Sequence, residues 1–277
     1  MRTCTSSPRT YPIAKLVTGR LVRSRWACGQ EIRKPPMNKP KWLSATGSPD
    51  DFPPPADALR EPNGLLAVGG CLHPEWLLDA YRKGIFPWYE SAQPILWWSP
   101  DPRAVLLPEQ LHISRRLKRT LRGSKLRITA DAAFDAVIRA CAEPRRYTEA
   151  TWITPQMRSA YVTLHELGWA HSFEAWSGAD LVGGLYGVGI GSVFFGESMF
   201  SQQSDASKIA FVHGVGFLQR RGCKLIDCQV WSHHLKTFGA HTMPREGFVA
   251  LLRTLCHPMG NPGSWQAEFE NDALLAS

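Results

Sequence analysis

Apolar residues and glycines alternate along residues 181–201, and this pattern predicts neighbouring β-strands. Glycines stand at positions 183, 184, 187, 189 and 191, where the missing side chains would let another backbone or a flat ligand approach closely. We expect one strand over 181–190 and the next over 192–196. A preceding strand over 169–176 would join the first of them through a turn, which gives a three-stranded meander.

Helical spacing of apolar residues, with start and stop signals, predicts helices in six other parts of the chain. They cover residues 74–83, residues 114–123, a segment capped by Asp131, a segment from Thr154 to Gly168, residues 205–221 and residues 245–255. Further strands are expected between Gly64 and Gly69, over 125–129 and over 224–230. The Pro-rich and Trp-rich residues between Gly84 and Leu106 predict irregular backbone held by aromatic packing.

This order of helices and strands is typical of an α+β fold, in which helices flank a mostly antiparallel sheet. It is also the order of a GNAT-type N-acyltransferase, so we predict a GNAT-like domain preceded by a smaller N-terminal domain. The predicted parts are a disordered basic extension over residues 1–42, a small N-terminal domain over 43–110, the GNAT-like domain over 111–258 and a loose C-terminal tail over 259–277.

The net charge of +8 is concentrated at the N-terminus. Residues 1–42 hold ten basic residues against one acidic residue, whereas the remainder carries 22 basic and 23 acidic residues. The folded body is therefore not generally basic, although residues 115–127 form one dense basic cluster in it. Met37 is a plausible alternative start, in which case the basic extension would be absent from the protein.

Cysteine usage and hydropathy indicate a cytoplasmic protein without a membrane segment. The seven cysteines are scattered and show no repeating pair spacing, which favours reduced thiols. No apolar run approaches the roughly 18–20 residues that a membrane helix needs. The basic N-terminus raises the possibility of a transit peptide, but its prolines argue against one.

Three polar residues stand out as candidates for chemistry. Glu197 lies inside an aromatic run, where a buried carboxylate needs a cation or hydrogen-bond donors. Asp227 and Gln229 are two apart on a predicted strand and should share one face. The plain alternatives are an exposed strand-end Glu and a strand-end pair satisfied by backbone. A zinc site at Cys223, Cys228 and the nearby histidines is disfavoured because the spacing is wrong, and we expect no metal.

Several segments together resemble one family, the bacterial leucyl/phenylalanyl-tRNA–protein transferases. They are EPNGLLAVGG (61–70), YRKGIFPWY (81–89), ILWWSPDPRAVL (95–106), TWIT (151–154), LHELGWAHSFE (165–174), GESMFS (196–201) and KLIDCQV (224–230). The resemblance runs from about Phe52 to about Leu255. It implies an aminoacyltransferase that moves Leu or Phe from aminoacyl-tRNA to the α-amine of proteins beginning with Arg or Lys, which marks them for N-end-rule degradation. It also implies a monomer that uses no cofactor.

The resemblance implies roles for particular residues. Gln229 would position the attacking amine and Asp227 would polarise the Gln229 amide, while Glu197 would bind the cationic side chain of the acceptor. The aminoacyl pocket and the adenosine end would be lined by Trp88, Trp152, Leu185, Phe194, Tyr81 and Tyr161. The acceptor stem of the tRNA would meet Arg115, Arg116, Lys118, Arg119 and Arg122. The chain departs from the family at Ser232 and His233, where an Asn-Asp pair is common.

Two other functions compete with this interpretation. A CoA-dependent N-acetyltransferase would need a glycine-rich pyrophosphate loop, but residues 199–206 contain no glycine. A tRNA-binding protein without catalytic activity would account for the basic cluster, but it would leave Glu197, Asp227 and Gln229 without a role.

Overall fold

The computed structural model describes residues 39–143, 152–257 and 262–275. Most of the predicted basic extension lies outside these residues. Its last part is described, and it differs from the disordered segment that we expected, because strand β1 (Lys41–Leu43) begins there and pairs in parallel with β2 (Leu65–Gly69).

A small sheet of four strands has the order β1-β2-β4-β3, with β3 at Phe86–Pro87 and β4 at Leu96–Trp98. The helix predicted over residues 74–83 is present as α1 (Pro74–Arg82), and it packs against this sheet. The backbone between Gly84 and Leu106 is more regular than the sequence indicated, since β3, β4 and β5 (Arg103–Leu106) all lie in it. Aromatic packing is nevertheless present, because the Phe52 ring meets the rings of Trp76 and Trp97 edge-on.

A large sheet of seven strands has the order β11-β5-β10-β9-β8-β7-β6. Its remaining strands are β6 (Arg127–Ala130), β7 (Ala170–Ser177), β8 (Asp180–Ile190), β9 (Val193–Ser201), β10 (Leu225–Gln229) and β11 (His241–Met243). Every neighbouring pair is antiparallel except β9 with β10, so the predicted α+β fold with a mostly antiparallel sheet is confirmed. Strand β5 belongs to this sheet, whereas the predicted boundary at residue 110 placed it in the small domain.

The remaining predicted helices are all present, as α2 (Arg115–Gly123), α3 (Phe134–Ala142), α4 (Pro155–Glu166), α5 (Ala206–Arg220) and α7 (Arg245–Leu255). The sequence did not predict α6 (His233–Lys236) or α8 (Gln266–Leu275). The side chains of Ser114 and Thr154 cap α2 and α4 as expected. Asp131 was predicted to cap α3 but does not, because its carboxylate accepts hydrogen bonds from His171 and from the backbone of Ser172 and Trp265.

The large sheet is buried on both faces. One face packs against the small sheet, α1, α3, α4 and α7, and these elements enclose the first core. The other face packs against α2, α5 and α8, which enclose the second core. Helix α5 approaches closely because β8 has a glycine there: a Cβ at Gly183 would lie 2.6 Å from the Cβ of Ala206. The C-terminal segment is not loose as predicted, since Trp265 and Phe269 are buried in the second core. Within the described residues, no helix has the length and apolarity to cross a bilayer.

Candidate active site

A cavity opens in the large sheet where the two parallel strands separate. Strands β9 and β10 pair only through Val193–Phe195 and Leu225–Asp227. Beyond these residues the cavity, of about 220 Å³, is bounded by both strands, by β8 and α5, and by the start of α6. The sheet thus provides the opening, and the helices close it on one side.

The cavity has an apolar part and a polar part. Its apolar lining comes from β8, β9, α5, β10 and α6, and comprises Leu185, Phe194, Met199, Phe211, Ile226 and Leu235. Its polar lining includes Glu197, Ser198, Asp227, Ser232 and His234. Such a combination is typical of a site that binds an apolar group and orients it with a few polar contacts.

Glu197 is the centre of the polar part. The Tyr81 hydroxyl donates to its Oε1 at 2.7 Å and the Tyr161 hydroxyl to its Oε2 at 2.9 Å. The side-chain amide of Gln229 donates from Nε2 to Oε1 at 2.8 Å. The two tyrosine hydroxyls also contact each other. Three donors therefore hold one partly exposed carboxylate in a fixed position.

The surroundings of Glu197 raise its pKa, so that the carboxyl group titrates near neutral pH. Burial raises the pKa of Glu197 to about 7, although the Tyr81 and Tyr161 hydroxyls act in the opposite direction by stabilising the carboxylate. The nearby charge of Asp227 raises this pKa further. Burial also raises the pKa of Tyr81 and that of Tyr161, so both phenols remain protonated donors.

Asp227 does not hold the Gln229 amide as the sequence led us to expect. Both of its carboxylate oxygens are taken by Arg103, with Nε to Oδ1 at 2.8 Å and Nη2 to Oδ2 at 2.6 Å. Oδ1 also accepts the backbone N–H of Gln229 at 2.9 Å. Glu197, and not Asp227, is the partner of the Gln229 side-chain amide.

Gln229 reaches Glu197 through an unusual backbone. The pairing of β10 with β5 slips between Asp227 and Gln229, and Gln229 has a φ of 59°. This left-handed conformation is uncommon for a residue other than glycine. The simple alternation that we used to place both side chains on one face therefore does not apply at Gln229.

Comparisons with known proteins agree on one family. The family model described as "Leucyl/phenylalanyl-tRNA protein transferase" matches residues 105–253, and that of its N-terminal domain matches residues 70–101. The chain belongs to this family. Similar proteins named leucyl/phenylalanyl-tRNA–protein transferase include one from Aromatoleum aromaticum, 56% identical over 82% of this chain and 94% of its own length. Another, from Methylococcus capsulatus, is 56% identical over 78% of this chain and 92% of its own length.

The family identifies the chain as an aminoacyltransferase, as the sequence motifs predicted. Glu197, Asp227 and Gln229 all lie within the part that matches the main family model. The structure also brings these three residues together within one hydrogen-bonded network.

Only some of the residues expected to line the aminoacyl pocket line the cavity in the structure. Leu185 and Phe194 line the cavity, but Trp88 and Trp152 do not. Trp88 is 40% exposed beside Trp98, and Trp152 packs on the first core. These two tryptophans are thus separate from the apolar lining to which the sequence assigned them.

Tyr81 and Tyr161 also differ from their expected role. Both are fully buried, and their hydroxyls face Glu197, so neither ring offers a free face to a stacked base. They do not line the cavity themselves, but they hold the Glu197 carboxylate that does.

Helix α2 presents the basic residues that were predicted to meet tRNA. The five exposed cations are Arg115, Arg116, Lys118, Arg119 and Arg122. A polar groove of about 640 Å³ beside the helix is lined by Arg119, Lys125, Ser124 and Gln203, among other residues. The cluster and the groove form one surface with donors suited to phosphate oxygens.

Sequence reasoning missed Arg103 and much of the cavity wall. Arg103 is 1% exposed, and the signal that could have found it is a lone Arg inside the apolar strand RAVL. Met199, Phe211 and Ile226 resembled ordinary core positions, since the pattern of apolar residues does not distinguish a packed wall from a cavity wall.

Proposed function

We propose that this protein transfers Leu or Phe from aminoacyl-tRNA to the α-amine of proteins that begin with Arg or Lys. The new N-terminus would mark those proteins for N-end-rule degradation. The observation that carries the proposal is the cavity at the β9/β10 separation, which combines an apolar wall with Glu197 at its polar end. The names of the relatives support the donor and the type of acceptor.

The apolar wall supports Leu or Phe as the transferred residue. A polar or charged side chain would lose its hydration against Leu185, Phe194 and Ile226 without gaining a partner. A Leu or Phe side chain instead gains from burial, by about 1.5–3 kcal/mol.

The polar end supports an amine acceptor with a cationic side chain. Glu197 provides a carboxylate for a guanidinium or an ammonium, which form strong charge-assisted hydrogen bonds in partly dry sites. Gln229 donates its amide N–H to Glu197, and because the amide group is planar this hydrogen bond also restricts the direction of its Oε1, which can accept a hydrogen bond from the attacking amine.

The reaction needs orientation more than a cofactor. Aminoacyl-tRNA is an activated ester. The amine nitrogen forms a bond to the ester carbonyl carbon, the bond from that carbon to the terminal ribose oxygen of the tRNA breaks, and the proton lost by the amine ends on the released ribose hydroxyl. Holding the two substrates in place supplies most of the rate enhancement, because the reaction no longer depends on a chance collision of ester and amine in solution. Exposed cations on α2 would hold the tRNA through its phosphates without reading its sequence.

We also propose the remaining expectations from the sequence, namely a GNAT-like arrangement of the large sheet, a monomer and a cytoplasmic location. The helices on both faces of a mostly antiparallel sheet support the first of these.

The direct test uses purified Leu-tRNA, Phe-tRNA and Val-tRNA with a peptide that begins with Arg. We expect transfer of Leu and Phe and little transfer of Val, measured by mass spectrometry of the peptide. A matched peptide that begins with Gly should react far less. Transfer of Val at the rate of Leu, or equal use of both peptides, would contradict the proposed specificity, and transfer from acetyl-CoA would favour the acetyltransferase.

A further inference from the structure

Arg103 lies at the junction of the elements that build the site. Its guanidinium makes the two hydrogen bonds to Asp227, and both side chains are almost fully buried. It is sandwiched between the rings of Phe86 and Phe248, with each centroid 4.7 Å away. The two rings and the two hydrogen bonds to Asp227 therefore fix the orientation of this guanidinium.

Two routes of contact lead from Arg103 to Glu197. In the first, Asp227 accepts the backbone N–H of Gln229, whose amide then donates to Glu197. In the second, Nη1 of Arg103 donates to the Gly84 carbonyl at 3.2 Å. Gly84 follows Lys83, the C-cap residue of α1, and α1 carries Tyr81, whose hydroxyl donates to Glu197.

A buried ion pair can also be purely structural. The strained backbone of Gln229 argues for more than this, because a left-handed Gln needs an external restraint to stay in place. Asp227 supplies that restraint at the Gln229 N–H, and Arg103 fixes Asp227.

We propose that Arg103 is a positioning residue for aminoacyl transfer, which sets Gln229 through Asp227 and Tyr81 through Gly84 around the Glu197 carboxylate. Its effect on turnover rests on the proposed function. Its effect on the arrangement of Gln229 and Glu197 exists without substrate and can be measured separately.

Arg103 also balances charge near Glu197. The titratable groups close to Glu197 are Tyr81 on α1, Tyr161 on α4, Tyr186 on β8 and Asp227 on β10. Among them, the nearby charge of Asp227 raises the pKa of Glu197. Removing Arg103 alone leaves Asp227 uncompensated, so the Glu197 titration should move to higher pH.

The first experiment compares Arg103→Lys with Arg221→Lys. Arg221 is the matched control, because its guanidinium also lies over two rings, those of Phe217 and Trp265, and pairs with Glu268. Lysine keeps the charge but cannot bond both oxygens of Asp227 in a fork. We expect Arg103→Lys to lower kcat by about tenfold or more while the KM for Leu-tRNA changes by less than about twofold. Arg221→Lys should leave both constants near those of the unaltered protein.

The second experiment uses NMR, without substrate, to follow the side-chain NH2 signals of Gln229 and the titration of the Glu197 carboxyl. Arg103→Lys should shift the side-chain NH2 signals of Gln229. Arg103→Met should raise the titration midpoint of the Glu197 carboxyl, and Arg103→Met with Asp227→Asn should return it toward the original value. If Arg103→Met fails to fold, Arg103→Lys and the double variant still decide the matter.

Several outcomes would overturn the proposal. They are a kcat for Arg103→Lys within about twofold of the unaltered protein, an equal loss in Arg221→Lys, or Gln229 and Glu197 signals that do not move. If the unaltered protein transfers neither Leu nor Phe, the proposed function fails. The NMR comparison would then still confirm or refute the positioning of Gln229.

Discussion

Gln229 illustrates how a single residue can combine strain and chemistry. Its positive φ would suit glycine, yet its side-chain amide makes the hydrogen bond to Glu197, which lines the cavity. Natural proteins tolerate such strain mainly where the surroundings hold it and a function uses it.

Two substitutions at this position should separate stability from activity. Gln229→Gly and Gln229→Ala both remove the amide, so each should lower kcat by about 100-fold or more with little change in donor KM. Glycine adopts the left-handed backbone freely, so the Gly variant should be more stable than the Ala variant by about 1 kcal/mol. Urea unfolding and steady-state kinetics measure the two effects. An Ala variant as stable as the Gly variant would mean that the backbone is not strained.

Glu197 should make the stability of the protein depend on pH. Its pKa is about 7 in the folded protein and about 4.5 in an unfolded chain. Between these values the folded state holds a proton that the unfolded state releases, so stability falls as the pH rises. Above pH 7 both states are ionised and this contribution to the pH dependence ends.

Glu197→Gln removes this titration. The stability of the variant relative to the unaltered protein should therefore rise between about pH 5 and pH 7 and then level off, as measured by urea unfolding at several pH values. A constant difference across this range would show that the Glu197 pKa is not raised.

At the scale of the elements, the cations of α2 form an exposed face near the polar groove. Replacing Arg115, Arg116 and Arg119 with Gln should raise the KM for aminoacyl-tRNA. It should also reduce the slope of log affinity against log salt by about 2 or 3, roughly one unit for each phosphate that is no longer neutralised. A minimal aminoacyl-adenosine donor lacks those phosphates and should be used normally. An equal loss with both donors would place the defect in the cavity instead.

At the scale of the whole molecule, the C-terminal segment is part of the core. The Trp265 backbone N–H donates to Asp131 at 2.7 Å, and the Trp265 ring stacks on His171 with centroids 3.4 Å apart. The Asp131 carboxylate and His171 are both buried, so this segment covers polar groups as well as apolar ones. Burial lowers the pKa of His171, although Asp131 opposes the shift.

Trp265→Ala should therefore destabilise the protein by about 3 kcal/mol or more, because it leaves a cavity and exposes the second core. Chemical unfolding measures the loss, with the exposed neighbour Gln266→Ala as the control. If both variants were equally stable, the segment would not be part of the cooperative fold.

The sequence by itself determined the family and many of the local elements, although not β1, β3, β4 or α8. Apolar periodicity and capping residues are local signals. They located α7 and the β7–β8 turn, and also α2 and α4, which begin at the capping residues Ser114 and Thr154. Motifs such as GESMFS and KLIDCQV singled out Glu197, Asp227 and Gln229 as candidates, because they place charged and amide side chains within apolar segments.

Only the tertiary structure decided which side chains act on one another. Arg103 and Asp227 are 124 residues apart, and Trp265 and Asp131 are 134 apart, so no spacing rule relates them. The division of the aromatic residues between the cavity and other surfaces also depends on strand order. Such contacts follow from which strands become neighbours and from the cost of burying an unpaired charge, and both are settled only when the whole chain folds.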